Sequence, residues 1–511
     1  LSYLFAASSL MRKIKLKAED FIILVQLTGI NIQDSPQATL DFVKAVKLAQ
    51  KSSLKVADVQ FMLRHEANNP ADLIDREIKD GRIIQILEKL QKDYQSNFTA
   101  NRSSFNVNLS ADEQKETLQN VLSKLTGIGE EDVKTFVKFI DKDWVTAIAA
   151  KSFTDDKLAY IDKATSIVRD NFDTTRIKNS IDALDAAPGP DISNEQKDLV
   201  KAFLDTIADY QLQLGKLNIL EQSLASVFKA DLELIKVVLK YAQLKQLAPG
   251  SELIGDLLLT DALIDKANTT PILPSVTELA FPKQFQSLRL LHKLIPLINS
   301  FKLETIQTEW FLKNNKDIGW FEFDAIPYKT GQTSVSYIKY SSFAGMIDLS
   351  KQLTPVPNPV DVENPISFLS VAEMLLSTSS ATRSQFLEVF SLLTGYFKED
   401  IDVIDAHLFP VFNLSNYRDV NTWQSISDCA EHLRKLGSTV NQVNAYIKPV
   451  LTGTDTNLLR TALKARYDED TWLSTLKEIM GAIRPQKRDA LVAYLLAENP
   501  EMKDENDLYD Y

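Results

Sequence analysis

A short pattern recurs along the chain and limits what it can fold into. One copy runs Leu122-Ser-Lys-Leu-Thr-Gly127-Ile-Gly-Glu-Glu-Asp132-Val-Lys-Thr-Phe136-Val137 and another Phe390-Ser-Leu-Leu-Thr-Gly395-Tyr-Phe-Lys-Glu-Asp400-Ile-Asp-Val-Ile404. A third, degenerate copy runs from Leu224 through Phe228 and Asp231 to Ile235, and looser versions lie at 435–443 and 301–306. The stretch 54–63 fits the second half alone. In the unit an apolar helix ends at a Thr-Gly or Leu-Gly, where glycine can take the left-handed backbone that closes a helix. Acidic residues follow, placed for the positive end of the next helix dipole, and the helical spacing then resumes. The unit is an αα-hairpin with a short loop. Its copies are irregularly spaced, so a strict solenoid is not expected.

The rest of the sequence agrees with helices. Val133, Phe136, Val137 and Ile140 form an amphipathic stripe, as do Leu234, Ile235, Val238 and Leu239, and a third runs from Ile479 to Leu495 across Pro485. Ser110 with Glu113, and Ser193 with Gln196, read as capping boxes. Only 15 Gly and 18 Pro punctuate 511 residues, too few for the turns of a sheet protein. The expected fold is all-α: an irregular stack of αα-hairpins in several lobes. One core does not grow past about 250–300 residues. The breaks at Ala186–Pro190, at 269–274 and across 311–365 give lobes at 1–187, 191–310 and 366–511, with 311–365 as an aromatic-rich crossover or small insertion. Within that crossover the alternation of Val335, Tyr337 and Lys339 allows a short β element. Helical spacing through Tyr337, Tyr340, Ala344, Ile347 and Leu349 fits about as well, and helix is the preferred expectation.

Chemistry is hard to find. His65, His292, His407 and His432 are far apart in sequence, with no metal-ligand spacing and no cysteine pair. His65 is expected to cap a helix end, and Cys429, the sole cysteine, to pack as a small buried hydrophobe. No phosphate-binding glycine loop or nucleophile elbow is present. The acids Glu130–Asp132 and Glu399–Asp400 recur at one place in the unit, which favours dipole partners over acid–base dyads. Arg484, Lys487 and Arg488 are expected on a solvated face. The aromatic residues of 310–340 are expected to pack the crossover, with stacking of a sugar or peptide as the alternative. No catalytic, cofactor-binding or metal-binding residue is assigned, and the chain is not expected to be an enzyme. A net charge of −12 with no long basic run argues against nucleic acid. No stretch nears the roughly 20 apolar residues of a membrane span. Four histidines leave any pH response largely to carboxylates or lysines.

Arg484-Pro-Gln-Lys-Arg488-Asp-Ala-Leu-Val-Ala-Tyr494-Leu-Leu closely resembles a stretch of the TcA subunits of bacterial Tc toxin complexes. Leu16-Lys-Ala-Glu-Asp-Phe21, Leu27-Thr-Gly-Ile30, Val59–His65 and Trp320–Pro327 are similar to that family in order and spacing. The resemblance touches both ends and several interior points. It implies part of the α-helical shell that surrounds the translocation channel of a homopentameric, pore-forming insecticidal toxin. In that family the shell opens on a pH change, and a toxic enzyme from the TcB–TcC cocoon passes through the channel. The channel and the TcB-binding region would lie beyond Tyr511, and this segment would not itself enter the membrane. A host receptor or glycan would be a further partner, and the protein would act outside the bacterium. The chain begins at Leu1 in mid-pattern with no readable signal peptide, and a longer natural protein is expected. A helical scaffold binding peptides or glycans, with no channel, is the alternative.

Overall fold

The computed structural model describes residues 2–101 and 212–510 together with Glu116, except for 52–53, 246–250, 269, 362, 377–378, 410, 412, 466 and 503. The unit at 122–137, both sequence-read capping boxes and the 186–190 break lie outside these residues. The described chain is mostly helical, as expected. It divides into two compact units: Leu1–Lys316 with Phe321–Ser341, and Asp317–Trp320 with Ser342–Tyr511. Residues of the 311–365 crossover contribute to both.

The first unit begins with α1 (Ser2–Ile14), α2 (Ala18–Thr28), α3 (Pro36–Lys51), α4 (Val56–Arg64), α5 (Pro70–Arg76) and α6 (Asp80–Asn101). It resumes with a helix over 212–228 (α7), followed by α8 (Leu232–Tyr241) and α9 (Ile254–Leu258). Then come α10 (Pro282–Phe301) and α11 (Thr305–Ile318). In α10, Phe285, Leu288, Leu290, Leu291, Leu294, Ile295 and Leu297 are all fully buried. A helix with so wide an apolar face belongs against a core, and α10 packs on α6, α9 and the segment Gln243–Lys245. Each such side chain contributes about 1.5–3 kcal/mol by leaving water.

A two-stranded antiparallel ladder interrupts the helices: β1 (Gln243–Lys245) pairs with β2 (Ser251–Leu253). The sequence points to 311–365 for β structure instead. There, apart from the lone bridge between Val356 and Ile366, no strand occurs among the described residues. The preferred helix forms as α12 (Tyr337–Gln352).

The recurring unit has a common backbone. Lys15, Lys229, Lys302, Gly395 and Gly437 all take left-handed backbone, φ 50° to 70°. In each case the next helix starts three residues later, at Ala18, Leu232, Thr305, Lys398 and Val440. At three corners the amide just past the left-handed residue reaches back five residues: Leu16 N to Met11 O, Ala230 N to Ala225 O and Ser438 N to Leu433 O. These bonds satisfy carbonyls that a helix end leaves open. Glycine is thus one way of filling the corner, and lysine fills it three times.

The second unit contains α13 (Phe368–Met374), α14 (Arg383–Thr394), α15 (Lys398–Leu408), α16 (Val420–Leu436) and α17 (Val440–Tyr446). It ends with α18 (Gly453–Lys464), α19 (Glu469–Glu498) and α20 (Glu505–Asp510). From α13 to α16 each helix packs on the next, and α15 also meets α17. An aromatic core joins them: Phe390 lies 4.8 Å from Trp423, Phe386 lies 4.4 Å from Tyr417, and Trp320 stacks on Phe368 at 6.3 Å. Beneath it, fully buried Asp405 accepts from Tyr417 Oη at 2.5 Å and from Arg383 Nε at 3.1 Å.

Candidate functional site

The aromatic residues singled out in the sequence are core, except half-buried Tyr328, which lines a cleft. Trp310, Phe311, Trp320, Phe321, Phe323, Tyr337 and Tyr340 are buried, and Trp320 Nε1 donates to Arg418 O at 2.8 Å. Trp320 therefore presents no free face to a sugar or peptide. Cys429 departs from expectation. It is exposed, because it lies about 100° round α16 from buried Ala430, at the solvent edge of the Trp423–Ile426–Leu433 stripe. Arg484, Lys487 and Arg488 are exposed on α19, and Arg488 pairs with its neighbour Asp489. Glu399 and Asp400 occupy the first turn of α15, where Asp400 Oδ1 also accepts from Val440 N at 3.0 Å. That acid ties the start of α17 to α15.

No group of three or more His, Cys, Asp or Glu side chains suited to a metal ion occurs among the described residues. His407 and His432 are exposed and belong to the second unit. His65 and His292, 227 positions apart in sequence, instead line one cleft of about 320 Å³ in the first unit. Its floor is the end of α4 and the middle of α10, contributed by Phe61, His65 and Lys293. Its rim carries Glu77, Asp80, Arg289 and the 328–330 loop.

Lys293 is 1% exposed and His65 3% exposed. The Lys293 ammonium donates to Phe61 O at 2.6 Å and Pro327 O at 2.5 Å, and lies 4.1 Å from the centre of the Phe61 ring. It thereby ties the end of α4 and the 321–328 crossover to α10. Carbonyls and a ring face favour the charged amine. Burial opposes it and prevails, pushing the lysine down to about 6, with Glu77 pulling the other way.

His65 is the left-handed residue closing α4, as its place at a helix end implied. Its side chain pairs with Glu77 rather than with its own helix: Nε2 lies 2.6 Å from Glu77 Oε1. Burial first, then the charges of Lys293 and Arg289, hold the imidazole below its ordinary value, while Glu77 raises it. The Glu77 contact places the proton of neutral His65 on Nε2, which leaves the Nδ1 lone pair without a partner. On the rim, Arg289 forks to both oxygens of Glu278 and reaches Asp80. His292 Nε2 lies 2.9 Å from Arg76 O.

Sequence reasoning passed over Lys293, Glu77 and Arg289. The only trace of Lys293 in the sequence is its apolar neighbourhood, Leu290-Leu-His-Lys-Leu-Ile295, since Gln286 and Arg289 at helical spacing would equally place it on a polar face. Glu77 and Arg289 carry no such trace, because their roles depend on tertiary placement alone. In comparisons with known proteins, the chain matches no family model, no curated protein and no solved structure.

Proposed function

We propose that this chain is a segment of the helical shell of a TcA-like translocation subunit, a structural part with no catalysis of its own. The observation that carries this reading is the repeated corner: five left-handed residues, each followed three positions later by a new helix. A corner of fixed geometry joining helices of differing length suits an irregular stack of αα-hairpins, which a shell requires. The text at 484–496 adds to this, since it resembles the TcA family and lies on α19, a helix whose apolar residues are largely uncovered. On this reading the natural protein is a homopentamer that is secreted or released, enclosing a channel. It meets a TcB–TcC cocoon through residues outside this chain, and attaches to a host receptor or glycan. Among the described residues no helix is long and apolar enough to cross a membrane, in keeping with a segment that would stay outside the bilayer.

The test is the mass and negative-stain image of the natural protein that contains this sequence. A subunit several times longer, assembled as a five-fold bell, is expected. A natural protein ending near Tyr511 and lacking five-fold assembly would overturn the reading in favour of a helical binding scaffold.

A further inference from the structure

Along α19 one line of exposed side chains follows the alternating 4–3 spacing of a coiled-coil seam. Leu473, Met480, Leu491 and Tyr494 are its apolar members, 42% to 60% exposed. Lys477, Arg484 and Lys487 fill the positions between them and are exposed as well. From Leu473 to Tyr494 every seam position thus holds an apolar or a basic side chain, and none holds an acid. Glu478 and Asp489, the acids nearest the middle of the helix, stand about 140–160° round from Leu473. Among the described residues none of the three cations has a carboxylate within ion-pair distance, and Lys487 Nζ lies 3.8 Å from Met480 Sδ on the same line. Arg488, off the seam, pairs with Asp489 instead. α20 packs on α19, yet Leu491 and Tyr494 stay exposed.

We propose that this seam docks an acidic amphipathic helix of a partner, one that carries apolar side chains and carboxylates in the same 4–3 spacing and lies along α19. The apolar members supply the area that leaves water. The cations choose the partner. A carboxylate opposite each of them neutralises it as the seam is covered, whereas an apolar helix without acids would bury three charges unpaired. A straight helix drifts about 20° per heptad from such a line, which a left-handed wrap of the partner takes up. A second copy of α19 offers the same cations, so the seam pairs with itself only weakly, through its apolar positions. An anionic lipid surface would also answer to the cations, but a helix lying on lipid needs a broad apolar face, and this seam is a single line. The net charge of −12 on the rest of the chain further opposes an anionic surface. This inference uses the second unit alone and does not depend on a role in a toxin shell.

Synthetic helical peptides of about 21 residues, a few heptads long, are the probes. All carry a leucine seam, interrupted by Glu in one, by Gln in the second and by Lys in the third. Binding to the full chain is read by fluorescence anisotropy. The Glu peptide is expected to bind about tenfold more tightly than the Gln peptide, and the Lys peptide more weakly than either. Raising sodium chloride from about 0.05 M to about 0.5 M should remove most of that margin. Lys477→Glu combined with Arg484→Glu and Lys487→Glu changes exposed positions only, so circular dichroism should hold while the preference reverses to the Lys peptide. If the triple variant loses helix, Lys487→Gln alone is expected to weaken the Glu peptide about threefold. Equal binding of all the peptides, or a preference that survives the charge reversal, would overturn the proposal. So would binding to phosphatidylserine–phosphatidylcholine vesicles without any preference among the peptides, which would assign the seam to a lipid surface.

Discussion

Lys293 shows how one residue sets a pH dependence. Its ordinary value is 10.5, and burial takes it to about 6 in the folded chain. Below about pH 6 folded and unfolded chains both carry the proton, and the cost of the buried ammonium is present in full. Between 6 and 10.5 the folded chain sheds its proton while the unfolded chain keeps it. The unfolded state then binds more protons, so stability rises with pH across that window. The denaturant midpoint of the first unit is expected to climb from pH 6 towards pH 10. Lys293→Met keeps the length of the stem, removes the charge, and should flatten that slope. Lys293→Ala also empties the space of the stem and leaves Pro327 O without its donor, costing about 3 kcal/mol at neutral pH. A slope unchanged in Lys293→Met would show that the lysine stays protonated throughout. The apolar run around Lys293 hints at its burial. Nothing in the sequence says that its partners are the carbonyls of Phe61 and Pro327, 232 and 34 positions away. Those contacts come from the packing of α4 and the crossover onto α10, and local spacing carries no record of them.

At the scale of the element, the corner between helices was plain where it contains Thr-Gly or Leu-Gly and fainter where it does not. Gly395 and Gly437 announce their left-handed backbone, whereas Lys302 sits in a copy too loose to show it and Lys15 carries the same conformation in no recognised copy. A left-handed L-residue costs roughly 1–2 kcal/mol against right-handed backbone, and glycine avoids most of this. Gly395→Ala is therefore expected to destabilise the second unit by about 1 kcal/mol. Space is no obstacle, since an added Cβ there would meet nothing within 4 Å. Lys302→Gly should stabilise the first unit by about 0.5–1 kcal/mol, after glycine's greater freedom in the unfolded chain is allowed for. Urea midpoints shifting in opposite directions would bear out the shared geometry. A loss of stability in both variants would mean that the Lys302 side chain contributes more than its backbone costs. The ladder of Gln243–Lys245 with Ser251–Leu253 was invisible for a different reason. Three residues to a strand is too short for alternation to register, and the pairing depends on α8 and α9 delivering the two segments to each other.

At the scale of the molecule, the helical class follows from long runs of 3.6-residue spacing with few breakers, and the described residues agree. What the sequence leaves open is which apolar stripes find partners within the chain. In α19, 30 residues long, only Trp472 is buried. Leu473, Ile479, Met480, Leu491 and Tyr494 of the same helix are between 42% and 60% exposed, and Ile447, Val450 and Leu458 just before it are exposed as well. Periodicity alone cannot tell a stripe covered by its own chain from one awaiting cover, because both obey the same spacing. Exposed apolar side chains gathered along one helix favour association. The chain on its own is accordingly expected to sediment as a concentration-dependent mixture and to enhance the fluorescence of a hydrophobic dye. Ile479→Lys combined with Leu491→Lys removes apolar area at two exposed positions without emptying a core. Circular dichroism should therefore hold while dye binding and self-association fall together. If association persists in the double variant, the sticky surface lies elsewhere, and the exposed Phe397 beside the corner at Gly395 becomes the next position to change.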